Sequence, residues 1–256
     1  MQSSITPDKM VRISAVSYLN TFPFVYGLKE SGFLKDFILE LDVPSICARK
    51  LIENAVDIAL TPAGALPETG NVHYLSDFCI GATGSVKTVL LLSNSPVNEI
   101  STIHLDFDSR TSVELIRILA KNHWKIKPAW VSLKPGEADE SRKIESLVAI
   151  GDKTFTLSHR YPFVYDLAEE WIKFSGVPFV FAVWASKKHL PDELINSFNQ
   201  ALAFGIQNKL QTIEYFKESL PPFDDCLGYL ERNISYSFDA DKKRGLKLFL
   251  DYLGQA

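Results

Sequence analysis

Cysteine is scarce in this chain, and the three cysteines lie far apart in the sequence. No two of them form a C-x-x-C pair, and an odd number cannot all pair within one chain. This argues against a framework of disulfides. We interpret Cys47, Cys79 and Cys226 as small buried apolar residues of a protein in a reducing compartment.

An excess of one charge and long apolar runs are also missing. The net charge is -4 with no long run of either sign, which argues against nucleic acid or an anionic membrane surface as a partner. No uninterrupted apolar stretch reaches the length of a membrane span, and the N-terminus lacks the apolar core of a secretory signal. We therefore expect a cytoplasmic protein, with residues 1–10 as a disordered leader and Met10 as an alternative start.

Motifs of common cofactor and metal sites are absent from the sequence. There is no G-x-G-x-x-G after a strand, no Walker loop, no G-x-S-x-G elbow and no H-E-x-x-H. The histidines have no metal-ligand spacing, and we interpret His104 as a structural histidine within a strand. Asp106 and Asp108 could act as an acid–base pair, but capping of a helix start is the better interpretation. No cofactor and no metal are expected.

Strand-like apolar segments alternate with segments of helical spacing along the 256 residues. This alternation predicts an α/β fold with mostly parallel sheets. The pattern restarts near residue 95, and the apolar segment 177–184 could carry the chain back. We therefore predict two lobes, residues 1–94 together with 184–256, and residues 95–183. A cleft between two lobes is a usual place for a small-ligand site.

Polar residues follow or interrupt three of the predicted strands. In open α/β sheets, ligands bind outside the carboxyl ends of the strands, so these residues are candidates for a binding site. The alternative is structural, because such residues are common in turns and a strand hydroxyl can bond to a neighbouring strand. The candidates are Ser17, Tyr18 and Asn20 after the first strand, Thr61 and Pro62 after the third, and Thr88.

Residues 103–119, IHLDFDSRTSVELIRIL, form the stretch around which the chain is organised. They predict a short strand, a turn, and an amphipathic helix that starts at Ser109 or Thr111 as its N-cap. A helix start has free N–H groups and a partial positive charge, so it suits a carboxylate or phosphate. Ser109, Arg110, Thr111 and Ser112 would add donors at a solvent-facing cleft. The alternative is an ordinary capped helix whose polar residues meet only water.

Six stretches, in order, are similar to one known family. They are SAVSYLNTFPFVYGL, VDIALTPAGAL, GSVKTVLLLS, LDFDSRTSVELIRIL, AIGDKTF and YDLAEEWIKFSGVPFVFAVWASK. They resemble chorismate dehydratase, which opens the futalosine route to menaquinone, and the similarity runs from about Arg12 to Lys188. The resemblance implies an α/β, two-lobed, type II periplasmic-binding-protein-like fold without export. The sister family, 1,4-dihydroxy-6-naphthoate synthase, usually starts like S-P-C-P-N-D-T where this chain has SYLNT, so we favour the dehydratase.

The resemblance also implies a reaction and a site. Chorismate, a small dicarboxylate, would lose water by 1,2-elimination to give 3-[(1-carboxyvinyl)oxy]benzoate. Asn20 and Thr88 would be catalytic, with Thr88 standing where the family more often has Ser. The helix start at 109–112 would hold one carboxylate, and Asp152, from the family's G-D pair, would orient a donor or cap the next helix. Two alternatives stay open, a non-catalytic binding module of the same fold and the sister synthase.

Overall fold

The computed structural model describes residues 10–106, 110–134 and 144–254, and their strands form two sheets. The six-stranded sheet contains β1 (Val11–Val16), β2 (Phe37–Asp42), β3 (Ile58–Pro62), β4 (His73–Ala82), β10 (Phe179–Ser186) and β11 (Ser235–Ser237), in the spatial order β11-β4-β10-β3-β1-β2. The five-stranded sheet contains β5 (Val89–Ser93), β6 (Thr102–Leu105), β7 (Ala129–Ser132), β8 (Ser146–Ile150) and β9 (Phe163–Asp166), in the order β7-β6-β8-β5-β9. Each sheet with its helices forms one lobe.

Helices cover the sheets, as the alternating pattern predicted. They are α1 (Phe22–Glu30), α2 (Pro44–Ile52), α3 (Leu66–Thr69), α4 (Arg110–Asn122), α5 (Thr154–Leu157), α6 (Leu167–Ser175), α7 (Asp192–Gln207), α8 (Lys209–Tyr215), α9 (Cys226–Arg232) and α10 (Ala240–Leu253). Within the described ranges, none of the helices is both long and apolar enough to cross a bilayer.

Both sheets are mixed, so the prediction of mostly parallel sheets was wrong. β1 pairs in parallel with β2 and β3, and β6 with β7 and β8. In contrast, β10 is antiparallel to β3 and β4, and β5 is antiparallel to β8 and β9. β11 is antiparallel to β4 as well. An alternating pattern of strands and helices reveals where strands occur but not their direction.

The chain passes between the sheets twice. It leaves the six-stranded sheet after β4 and enters the five-stranded sheet at β5, and it returns between β9 and β10. The passages therefore come before residues 94 and 183, where the sequence pattern placed the lobe boundaries. The apolar strand 89–93, which comes before the restart of the pattern, belongs to the five-stranded sheet. The division of the chain into independent domains stays a prediction.

Several local predictions can be compared with these elements. The apolar segments 11–16 and 146–150 each predict a strand, and both strands are confirmed. The spacing of residues 165–174 predicts a helix closed by the Ser-Gly pair at 175–176. Helix α6 does end at Gly176, with a φ of 73°, and Asp166 caps its start by accepting from two backbone N–H groups. Residues 165 and 166 belong to β9, so the predicted start of the helix was wrong. Thr111 lies inside α4 and is not its N-cap.

One buried apolar cluster extends through both lobes. It includes Ile13 and Leu60 from the six-stranded sheet and Ile103 and Val148 from the five-stranded sheet. The three cysteines are buried and free, and burial raises the pKa of each thiol, to about 12 for Cys47 and Cys79. Continuous packing of this kind holds the two lobes close together around the strand ends.

Candidate active site

A pocket lies between the lobes, where strands of both sheets end. It encloses about 540 Å³ of space, including the part open to solvent. It is lined by Val16, Tyr18, Asn20, Thr21, Pro44, Leu60, Pro62, Ile80, Val86, Thr88, Val89, Thr111, Ser112, Ile150, Gly151, Phe181 and Ala182. The residues at the ends of β1, β3 and β8 place this pocket at the carboxyl edge of parallel pairs, the position that the fold class predicts for a ligand.

The structure brings most of the predicted site residues together at this pocket. Those that line it are Tyr18, Asn20, Pro62, Thr88, Thr111 and Ser112. Ser17, Thr61, Arg110 and Asp152 do not line it, and Ser109 lies outside the described residues. Ser17 is exposed, whereas Thr61 is fully buried in β3 with its hydroxyl donating to the Ala59 carbonyl at 3.2 Å. Thr61 thus has the structural role of a strand hydroxyl.

Charged side chains are absent from the lining among the residues that the structure describes. The same ranges contain no group of His, Cys, Asp and Glu that could hold a metal ion. The polar atoms that face the pocket belong to hydroxyls, an amide and the backbone. An anion in this pocket would therefore be held by neutral donors and by the first turn of α4, where a helix start is intrinsically suited to negative charge.

A buried tyrosine lies beside both Asn20 and Thr88. The hydroxyl of Tyr229, on α9, lies 2.8 Å from Thr88 Oγ1, and the Asn20 side chain acts on the same phenol, opposing the rise of its pKa. Thr88 Oγ1 donates to the Val86 carbonyl at 3.3 Å. Burial raises the pKa of Tyr229 far above its usual value, so the phenol stays protonated. The two residues predicted to be catalytic therefore share one hydrogen-bonded network.

Sequence reasoning missed Tyr229. It lies 141 residues after Thr88, in a C-terminal region whose pattern predicts mostly helices and no site residue. Its neighbour in this network, Tyr236, donates from its hydroxyl to the Asn20 backbone carbonyl at 2.9 Å. The one available signal was a pair of tyrosines in an otherwise aliphatic pattern, because a buried tyrosine usually needs a partner for its hydroxyl.

The start of α4 contacts the six-stranded lobe directly. Thr111 Oγ1 accepts from the Gly64 backbone N–H at 3.0 Å and donates to the Phe181 carbonyl at 3.3 Å. A Cβ on Gly64 would lie 2.8 Å from the backbone of Thr111, so only glycine permits this approach. We name Gly64, Thr111 and Phe181 the α4 junction. The expectation that Thr111 faces solvent was wrong, because this junction buries it.

Arg110 points away from the pocket. Its guanidinium pairs with Glu68 of α3, in the other lobe, and the two side chains are 46% and 56% exposed. The arginine therefore bridges the lobes at the outer rim and does not supply a charge to the pocket itself. Ser112, two residues further, lines the pocket and is buried.

A second contact between the lobes centres on Asp152. The Leu19 backbone N–H donates to its Oδ2 at 3.1 Å and to its Oδ1 at 3.3 Å. Burial raises the pKa of Asp152 to about 6, although the Leu19 N–H opposes the shift. Gly151, with a φ of +71°, lies against the Tyr18 ring, where a Cβ would come within 2.8 Å. We name Tyr18, Leu19, Gly151 and Asp152 the Asp152 junction.

The role expected for Asp152 has to be corrected in part. Its carboxylate does not cap α5, the next helix of its own lobe, whose N-cap residue is Lys153 without a side-chain bond. It accepts instead from the first residue of the turn at 19–21 in the other lobe. That turn carries Asn20, so Asp152 orients the segment that holds a pocket residue.

Comparison with known proteins identifies the family. Residues 11–255 match a family described as menaquinone biosynthesis. A chorismate dehydratase from Thermus thermophilus is 24% identical over 257 residues, which is 93% of each chain.

Solved structures share the fold. A crystal structure of an Archaeoglobus fulgidus protein has a TM-score of 0.76 at 14% identity and covers 98% of both chains. The periplasmic aliphatic sulphonate binding protein from Escherichia coli has a TM-score of 0.61 at 13% identity, covering 98% of this chain and 88% of its own. The fold is thus that of periplasmic binding proteins. By its match over residues 11–255, the chain belongs to the menaquinone biosynthesis family.

Proposed function

We propose that this protein is a chorismate dehydratase, a lyase that converts chorismate into 3-[(1-carboxyvinyl)oxy]benzoate and water. The observation that carries the proposal is the pocket between the lobes, with Asn20 and Thr88 on its wall and the start of α4 beside them. The relative named chorismate dehydratase, which aligns over 93% of this chain, supports it. The proposal places the reaction in the futalosine route to menaquinone and in the cytoplasm.

The chemistry is an elimination that makes the ring aromatic. A proton leaves the ring carbon that bears the enolpyruvyl ether, and the electron pair delocalises through a ring alkene into the ring carboxylate. The neighbouring hydroxyl then departs and, with one proton, becomes water. Because negative charge develops on the ring carboxylate, donors preorganised around that group lower the barrier.

The two carboxylates of the substrate need two sets of donors. The first turn of α4, with its helix-start N–H groups and the Ser112 hydroxyl, offers one set, while the Thr111 hydroxyl is engaged at the α4 junction. Asn20 and Thr88 offer the other, close to where the reacting hydroxyl would lie. Neutral donors suit this task because they stabilise the charge without forming a fixed ion pair that would hold the product equally well.

The proposal also concerns the base that removes the ring proton. No carboxylate or histidine lines the pocket among the described residues. We propose that a substrate carboxylate takes the ring proton, since holding it near the C–H makes the step intramolecular. Asp152→Asn and Asp106→Asn should then keep turnover within about tenfold of wild type. A single neutralised Asp or Glu that abolishes turnover while chorismate still binds would refute this.

A second candidate function is a binding protein that releases its ligand unchanged. The similarity of the fold to the aliphatic sulphonate binding protein favours it. A pocket without charged side chains would suit a small anion held by helix-start donors in that case too. The two functions differ in whether bound chorismate is altered.

The deciding experiment is to incubate the purified protein with chorismate and to follow products by chromatography and mass. Loss of one water with formation of an aromatic carboxyvinyl ether supports the dehydratase. Asn20→Ala should lower kcat by roughly 10²-fold with a smaller change in KM, as for a lost transition-state donor. Asn122→Ala is the matched control, since its amide donates within α4, to the Ile118 carbonyl. Unchanged chorismate from folded protein would favour the binding protein.

A further inference from the structure

Tyr229 lies behind the wall of the pocket and contacts both residues that the proposed reaction uses. It is fully buried, and its ring packs edge-on against Phe155 with centroids 5.2 Å apart. Its hydroxyl lies 2.8 Å from Thr88 Oγ1, and the Asn20 side chain influences the pKa of the same phenol. α9 thus carries a polar group to the point where the two lobes and the pocket meet.

Counting protons assigns a direction to this network. The hydroxyl of Thr88 has one proton, and at 3.3 Å it donates to the Val86 carbonyl, which can only accept. With the Thr88 proton directed to Val86, the 2.8 Å contact is donated by the Tyr229 phenol. The Asn20 side-chain oxygen already accepts from the Thr21 hydroxyl at 3.1 Å. This assigns the direction Tyr229 to Thr88.

We propose that Tyr229 is a positioning residue that makes Thr88 a hydrogen-bond donor toward the pocket. The Tyr229 proton occupies one lone pair of Thr88 Oγ1, so the Thr88 hydroxyl cannot donate to Tyr229 in return. Its own proton can then turn from the long contact with Val86 to an oxygen of the bound substrate. This inference rests on the proposed dehydratase function.

The Thr88 proton is useful only if its direction is fixed before the substrate arrives. A hydroxyl that could donate equally to Tyr229 would lose part of its interaction with the developing charge, because it would have to rotate during the reaction. Tyr229 lies behind Thr88 and does not contact the substrate. Loss of the Tyr229 hydroxyl should therefore lower kcat more than it changes KM. If the hydroxyl had only a structural role, its loss would lower the stability of the protein and would not affect kcat more than KM.

The test is Tyr229→Phe, which keeps the ring against Phe155 and removes only the hydroxyl. We expect kcat to fall about tenfold, the scale of one hydrogen bond, with KM changed by less than about threefold. The matched control is Tyr161→Phe, a buried tyrosine of the five-stranded lobe whose hydroxyl donates to the Ile144 carbonyl at 3.2 Å, and which should leave kcat unchanged.

A double-mutant cycle with Thr88 separates positioning from structure. In the Thr88→Val background, Tyr229→Phe should cause little further loss, because the group that it positions is already gone. In the Thr88→Ser background, which keeps the hydroxyl, the loss should return to about tenfold. Equal losses in all backgrounds would overturn the proposal, since Tyr229 would then act independently of Thr88.

A second substitution covers the case in which Tyr229→Phe does not fold. Site-specific 3-fluorotyrosine at 229 keeps the phenol and makes it a stronger donor, so kcat should stay level or rise. A fall in kcat with this residue would overturn the proposal. A wild type that leaves chorismate unchanged would refute the proposed function and this inference together, whereas an active wild type with an equally active Tyr229→Phe would refute this inference alone.

Discussion

The two junctions between the lobes use different chemistry for a similar task. The α4 junction is neutral, with a threonine hydroxyl bonded to a backbone N–H and a carbonyl of the opposite lobe. The Asp152 junction places an ionisable carboxyl on the backbone N–H of Leu19. Each also sets a glycine against the other lobe, Gly64 against backbone and Gly151 against a side chain. One junction is sensitive to shape and the other to protonation.

Because of this difference, the two junctions contribute to the closed pocket in different ways. The α4 junction fixes the distance between the helix start and the six-stranded lobe, because backbone on both sides cannot yield. The Asp152 junction orients the turn that carries Asn20, and its strength depends on the charge of one group. Substitutions at the two junctions should therefore differ in size and in their dependence on pH.

The largest effect is expected from Gly64→Ala. The added Cβ would lie 2.8 Å from the Thr111 backbone, so the lobes must separate there. We expect a loss of about 3 kcal/mol in the free energy of unfolding and strongly weakened binding of chorismate. Urea unfolding and calorimetry measure the two. Gly84→Ala is the control, because nothing lies within 4 Å of its Cβ, and equal effects of both substitutions would contradict the junction.

Thr111→Val tests the same junction through its hydrogen bonds. Valine keeps the shape and leaves the Gly64 N–H and the Phe181 carbonyl without their partner, which should cost about 2 kcal/mol of stability. Thr111→Ser should restore most of it. Thr156→Val, at an exposed hydroxyl bonded to the Lys153 carbonyl, serves as control and should change little. A normal melting temperature for Thr111→Val would show that the junction is not tied by this hydroxyl.

The sequence predicted the pocket more fully than it predicted the junctions. Polar residues after strands, such as Asn20, could be placed because strand ends of parallel pairs meet at one edge. Arg110 and Thr111 follow each other in a helix start, and no local pattern reveals that one faces outward and the other is covered by Gly64. Tyr229 depended on long-range packing. Contacts across lobes are set by tertiary structure, which periodicity does not encode.

At the Asp152 junction, Gly151→Ala should have a smaller effect than Gly64→Ala. The substitution forces alanine into a backbone with a φ of +71°, and its Cβ meets the Tyr18 ring, which can move, whereas backbone cannot. We expect a loss of about 1–2 kcal/mol. Gly32→Ala isolates the backbone strain, since its φ is +72° with nothing within 4 Å of the Cβ. If the two losses, measured by urea unfolding, are equal, the ring contact contributes nothing.

Asp152→Asn should raise the free energy of unfolding, whereas the preceding substitutions lower it. The gain should occur only at pH values above the pKa of Asp152. A folded-state pKa of about 6 against 3.8 means that low pH favours the folded state through this group and that the contribution is lost as pH rises through 6. At pH 7.5 the variant should be about 1 kcal/mol more stable than wild type, with solvent screening allowed for, and near pH 4 equal to it. Urea unfolding at both pH values measures this.

Asp57→Asn gives the comparison of opposite sign. Burial would raise the pKa of Asp57, but Lys188 and Arg12 outweigh it and hold the pKa below its usual value. Its ionised form therefore stabilises the fold at pH 7.5, and that stability is lost as pH falls. Asp57→Asn should therefore lose stability at pH 7.5. If Asp152→Asn also lost stability at that pH, the Leu19 hydrogen bond would stabilise the ionised Asp152 carboxylate by more than burial destabilises it.

The smallest effect is expected from Arg110→Ala. Its ion pair with Glu68 lies at the exposed outer rim, where such pairs contribute less than about 1 kcal/mol. Because the pocket lining does not include Arg110, KM for chorismate should change by less than about threefold. Arg244→Ala, which breaks an exposed pair with Asp241, is the matched control for stability. A large rise in KM for Arg110→Ala alone would mean that the guanidinium leaves Glu68 and turns to the substrate, so that a charged side chain would act in the pocket after all.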